Sequence, residues 1–246
     1  MGYKNLTIDG IYDGFGSQYL KKLGGFALCC LDKRYRYIHT PFWKMDHTPH
    51  LMNELNQFIG FHDNRVGKRI HIKLSWYRQA FFNTDKFFTN STLSRIREMY
   101  WSTPKPKNCE EDIVIHIRRG DLFTGNRNAK RRIVKNAFYK SKIYNILNNH
   151  SESKIKIHSE GSPENFQEIF EDYPQDFVDR INLSLNENVM TVFNDMVCCK
   201  HLFLARSSLS FTAGLLNENE VYFQSGASNS QTSVPRECWK NWNLYE

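Results

Sequence analysis

From residue 113 onward the chain alternates short apolar runs with longer amphipathic ones. Ile113–Arg118, Ile155–His158, Arg180–Leu185, His201–Ala205 and Glu220–Phe223 read as strands. Between them, Ala137–Asn149, Ser162–Asp172, Val189–Cys199 and Ser207–Leu216 carry apolar residues at helical spacing. The second of these helices opens on Ser162-Pro163 with Glu164 in its first turn, a helix-start signal. Strand and helix alternating at this interval predict a parallel sheet covered by helices on both faces.

The first half is less regular. Leu6–Ile8, Tyr35–His39 and Ile70–Leu74 read as strands, and Ser17–Leu31, Leu51–Phe58 and Leu93–Tyr100 as helices. Between the halves, Ser102–Asp112 (STPKPKNCEED) combines two prolines with lysine, asparagine and acidic residues, which disfavours helix and marks a connector. The expected organisation is α/β throughout, with Rossmann-like domains at 1–108 and 109–246 facing each other across a cleft. In open α/β sheets ligands sit at the carboxyl ends of strands, so the loops that follow strands are the informative ones.

Composition narrows the class. The 246 residues are 40% hydrophobic and 24% charged, too apolar for disorder, and the mean hydropathy is −0.59. No run approaches the roughly 18–20 apolar residues of a membrane span, and MGYKNLTIDG lacks the apolar core of a secretory signal. The six cysteines include the adjacent pairs Cys29–Cys30 and Cys198–Cys199, which cannot easily close a disulfide, and no CxxC occurs. These features point to a cytoplasmic chain with reduced thiols. A net charge of +7 suits an anionic partner: nucleic acid, a membrane surface or a phosphorylated small molecule. Arg118–Arg119 and Lys130–Arg132 are its local concentrations.

Four segments at strand ends carry candidate chemistry. His116-Ile117-Arg118-Arg119-Gly120-Asp121 closes its strand. Alternation puts Val114, His116 and Arg118 on the face opposite Ile113, Ile115 and Ile117. A guanidinium at a cleft mouth grips a diphosphate bidentately and stabilises negative charge as it leaves. Asp13-Gly14-Phe15-Gly16-Ser17-Gln18 is a glycine turn entering a helix, where backbone N–H groups approach an anion or simply make a tight turn capped by Ser17. Ala205 to Gly214 (ARSSLSFTAG) again leads strand into helix and offers hydroxyls beside a helix N-terminus. In His158-Ser159-Glu160-Gly161-Ser162, an acid follows a strand where a base or ribose would lie.

Together these segments resemble the fucosyltransferase-like glycosyltransferases, the superfamily of α1,2-, α1,6- and protein O-fucosyltransferases. HIRRGD matches their HxRRxD signature, and DGFGSQ resembles their amino-terminal glycine motif. SEGS resembles their post-strand turn, and the run from Asp195-Met196-Val197 to Ser207-Ser208-Leu209-Ser210-Phe211 looks like their SSxS motif. The order and spacing extend over about residues 9–217. The resemblance implies a GT-B fold and inverting, metal-independent transfer of a sugar onto a glycan hydroxyl. It implies fucose from GDP-fucose as donor, with another nucleotide sugar such as UDP-xylose as the alternative, and an oligosaccharide or glycoconjugate acceptor. Donor contacts would come from Gly14, Phe15, Gly16, His116, Arg118, Glu160, Ser207, Ser208 and Ser210, while Arg119 and Asp121 would be structural. The sequence departs from the family pattern at Ser17 and Val192, and Leu122–Arg127 holds no carboxylate.

For the base that deprotonates the acceptor, Asp13 beside the glycine turn is the expected residue, with Asp9 and His39 behind it; Arg118 supplies the cation. No DxD occurs, which argues against a metal-dependent design. Two other classes fit the charge: a nucleic-acid binder using Asn126–Lys135, and a sugar-binding module without activity. The basic run lacks the interleaved aromatics of a stacking platform, so no nucleic-acid partner is expected.

Overall fold

A computed structural model describes residues 4–8, 12–62, 70–71, 83–124, 130, 133–224, 238 and 241–244. In the first half, strands β1 (Lys4–Thr7), β2 (Tyr35–Tyr37) and β3 (Ile70–His71) form a parallel sheet in the order β2-β1-β3. Its helices are Phe15–Leu31, Met52–Phe58, Thr84–Phe87 and Asn90–Tyr100.

In the second half, β4 (Ile113–His116), β5 (Ile155–Ser159), β6 (Ile181–Leu185), β7 (His201–Phe203), β8 (Glu220–Phe223) and β9 (Trp242–Leu244) form one sheet in the order β6-β5-β4-β7-β8-β9. Every described pairing is parallel. Counted from β4, this is the doubly wound order 3-2-1-4-5-6, whose direction reverses between β4 and β7. The expected α/β class, with a parallel sheet in each half, is what the chain forms.

Residues 113–116 are buried on both faces, which explains their unbroken apolar run. Ile113, Ile115 and Ile117 pack with Tyr139, Ile143 and Leu147 of the Asn136–Asn149 helix. Val114 belongs instead to a second core that runs through both halves. Phe193, in the Val189–Cys198 helix, stands at its centre, with ring centroids 5.4 Å from Phe15, 5.8 Å from Tyr19, 5.9 Å from Tyr100 and 6.1 Å from Phe58. All four neighbours come from the first half. The connector is fastened down as well: Asn194 Nδ2 donates to the Pro106 carbonyl at 3.0 Å, and Cys109 Sγ to the Asp195 carbonyl at 3.0 Å.

The short helices Thr84–Phe87, Gly120–Thr124 and Gln175–Val178 are additional to the sequence reading, and two further elements differ from it. Ser162–Asp172 is not one helix: a 3₁₀ turn, Pro163–Asn165, precedes a short helix, Gln167–Phe170. Asn165 bonds back to Ser162 in a capping box, so the chain restarts its helix within one turn. Strand β9 carries too short an apolar signal to be noticed, yet it pairs with β8 and seats Trp242 on Phe211 and Phe223. All six cysteines are free thiols. Among the described residues, no helix is long and apolar enough to cross a membrane.

Candidate functional site

The sheet's reversal point lies between β4 and β7, and the segments that follow these two strands are HIRRGD and ARSSLS. Arg118 Nη1 lies 3.4 Å from the carbonyl of Arg206. Its Nη2 and Nε pair with Asp121 at 2.7 and 3.3 Å. Ser207 caps the Ser208–Leu216 helix, its hydroxyl accepting from the Leu209 N–H at 3.2 Å. A partly exposed guanidinium therefore lies beside the residue that precedes a capped helix N-terminus, and both favour an anion. Arg119 turns the other way. It is 1% exposed, donates to Asn136 Oδ1 at 2.7 Å and lies over the Tyr139 and Phe123 rings, with burial lowering its pKa.

The glycine turn comes to the same place from the first half. A Cβ on Gly16 would stand 2.4 Å from Leu209 Cα, so the two helix N-termini touch where only glycine fits. Thr212 Oγ1 ties them further by donating to the Gly16 carbonyl at 3.2 Å. Gly16→Ala is therefore expected to cost about 1–3 kcal/mol by overpacking. Gly14→Ala, which meets only the His47 ring at 3.2 Å, should cost clearly less; urea unfolding of the two variants checks the order.

Asp13 is the N-terminal clasp of this helix. Its carboxylate accepts from the Gly14 N–H at 2.9 Å, Ser17 Oγ at 2.5 Å and Lys21 Nζ at 2.8 Å. Burial raises its pKa, but the bonds from Lys21, Ser17 and Gly14 together outweigh it and the net shift is downward. A carboxylate so held is a weak proton acceptor.

On the β4–β5 side, His116 is buried and lies beside His158. Burial first, then the neighbouring His158 and Arg118 charges, push its pKa down to about 3, so it is neutral behind Arg118 at neutral pH. His158 Nε2 is 3.0 Å from Asp195 Oδ2, which also takes Lys156 Nζ at 2.9 Å. His158, Glu187 and Asp195 offer ligand atoms within 4.8 Å of one another, but Lys156 already supplies a cation there. Glu160 folds over Gly120, whose Cβ would meet its Oε2 at 1.8 Å; Gly120 has φ +21°. The Glu160–Gly161 turn is braced by Asn186, itself at φ 56°, bonding both the N–H (3.0 Å) and the carbonyl (2.8 Å) of Gly161.

The structure thus gathers Arg118, Ser207, Ser208, Gly14 and Gly16 at one junction, with Glu160 beside Gly120. Two residues expected at the donor face the core instead. Phe15 is 4% exposed and packs on Phe42, Tyr19 and Phe193, while Ser210 is fully buried and donates to the Ala205 carbonyl at 3.1 Å. Of the lesser base candidates, His39 is buried and stacked on Phe61 at 4.9 Å. Asp9 lies outside the described residues, as do 126–129 and 131–132 of the basic run. The sequence reading missed the 42–47 loop, which carries no motif but closes over the glycine turn.

The sequence model of glycosyl transferase family 11 matches residues 35–244. No curated protein matches the chain significantly. Among solved structures, the ADP-heptose LPS heptosyltransferase II of E. coli aligns with a TM-score of 0.48 and 10% identity, over 98% of this chain and 90% of that one. The E. coli heptosyltransferase WaaC with ADP aligns with a TM-score of 0.49 and 10% identity, over 98% and 92%.

Proposed function

The chain belongs to glycosyl transferase family 11 and is a fucosyltransferase-like glycosyltransferase; from that premise we propose inverting transfer of fucose from GDP-fucose onto a hydroxyl of an oligosaccharide or glycoconjugate. The observation that carries this reading is the meeting of Arg118 with the capped N-terminus at Ser207–Ser208, at the sheet's reversal point. A diphosphate bridging the two would take charge-assisted bonds from the guanidinium and N–H groups from the helix. As the sugar leaves, these groups stabilise the growing negative charge in the role a divalent ion plays elsewhere, so the proposed reaction needs no metal. Asp121 holds Arg118 in place and would share it with the phosphates. Glu160, beside Gly120, is the residue we assign to the nucleoside.

Thermal-shift measurements with GDP, UDP, CDP and ADP and their sugars, each with and without EDTA, test donor and metal together. Ligand at about 100 times its Kd stabilises by roughly 2.7 kcal/mol, a readily seen shift. GDP and GDP-fucose are expected to raise Tm equally in EDTA. A response to UDP-xylose alone would reassign the donor, and loss of the response in EDTA would end the metal-free reading.

A further inference from the structure

We propose that His47, oriented by Asp46, is the base that takes the proton from the acceptor hydroxyl. The inference rests on the glycosyltransferase reading above and assigns a residue to the step that Asp13 serves poorly. Residues 42–47 are fastened to the glycine turn by two bonds: Gln18 Nε2 donates to the Lys44 carbonyl at 2.8 Å, and the Asp46 N–H donates to the Asp13 carbonyl at 3.3 Å. Gln18 Nε2 also donates to the Asp13 carbonyl at 2.7 Å, which holds its amide in place. His47 lies directly against Gly14, its Cδ2 3.2 Å from where a Cβ would stand. Its Nε2 is 3.9 Å from Asp46 Oδ2, and 57% of the side chain is exposed.

That arrangement supplies an accessible imidazole and a neighbouring carboxylate, which would orient the ring once the 3.9 Å gap closes to a hydrogen bond and leave Nδ1 to accept the proton. Orienting contacts of this kind are commonly loose in a protein without substrate. The position also suits an inverting reaction. From His47 the contacts run through Gly14 and Gly16 to Leu209, then through Ser207 and Arg206 to Arg118. The base would then come from the first half and the diphosphate cation from the second, so that a sugar held between them would be approached from the side opposite its leaving group.

The step balances. The acceptor O–H gives its proton to His47 Nδ1, and its oxygen forms a bond to the anomeric carbon. The bond from that carbon to the phosphate oxygen breaks, and the nucleoside diphosphate departs with the electron pair to Arg118. The charged and titratable groups facing His47 are Asp46 on its own loop, Tyr12 bonded to Asp46, Lys44 stacked 4.4 Å over Tyr12, and the Asp13–Lys21 pair under the turn.

The test measures release of GDP from GDP-fucose, with water and with free hexoses as acceptors, as a function of pH. His47→Gln is expected to lower kcat about 10²–10⁴-fold with the donor KM unchanged, and to erase the acidic limb of the profile. Added imidazole should restore part of the rate to His47→Ala, an effect that loss of structure would not produce. The side chain is exposed, so circular dichroism should be unaltered. Undiminished kcat and an intact acidic limb in His47→Gln would overturn the assignment, as would loss of turnover in Asp13→Asn alone. A wild-type chain that binds GDP but releases none would sink the base and the donor reaction together; a wild-type rate left untouched by His47→Gln would sink the base alone.

Discussion

Replacing Arg118 with alanine is expected to abolish GDP-dependent thermal stabilisation and to lower kcat/KM for the donor by about 10³-fold, near 4 kcal/mol of transition-state stabilisation. β4 leads the guanidinium to the start of the helix that follows β7, where it would act on the charge that grows as the sugar leaves. Fold stability should barely change. The ion pair to Asp121 joins side chains 26% and 31% exposed, and such pairs contribute about 0–1 kcal/mol. Arg118→Lys should recover only part of the activity, since an ammonium cannot replace the planar fork. Arg119→Ala, one residue on, should do the reverse and weaken the fold, because that side chain is buried between Tyr139 and Asn136. Full donor response in Arg118→Ala would remove the diphosphate from this junction.

The contrast between these two arginines shows what the chain made legible. Period-2 alternation expected over 113–118 put the two on opposite sides, although the strand itself ends at His116, and the resemblance named Arg118 as the phosphate residue. The same logic located the strand-end loops. It could not say which loops meet. Strand order is set by long-range pairing, so the approach of HIRRGD to ARSSLS became visible only once β4 and β7 were seen side by side. Residue type also misled at Phe15 and Ser210: both sit inside motifs, yet helical geometry turns them inward, one to the shared core and the other to its own preceding turn. The 42–47 loop has no periodicity and no motif, and its place depends on bonds to Asp13 and Gln18 that no local pattern encodes.

The shared core yields the largest expected effect on stability. Phe193 belongs to the second half but is enclosed by Phe15, Tyr19, Phe58 and Tyr100 of the first, and is itself fully buried. Phe193→Ala is expected to cost about 3–5 kcal/mol, a large share of the roughly 5–15 kcal/mol that holds a typical protein folded. Its consequence should be more than a lower midpoint. Two units joined by a loose hinge would melt separately, whereas halves joined through this ring cluster, the Gly16–Leu209 contact and the fastened connector should unfold in one transition. Removing the central ring weakens that coupling, so urea unfolding followed by tryptophan fluorescence and by far-UV circular dichroism should coincide in the wild type and separate in the variant. A loss below about 1 kcal/mol with coincident curves would mean that the neighbouring rings close over the gap, and that Phe193 does not couple the halves. The same coupling bears on catalysis, because His47 and Arg118 stand on opposite halves. A variant that loosens the joint should lose turnover at temperatures where its secondary structure is still intact.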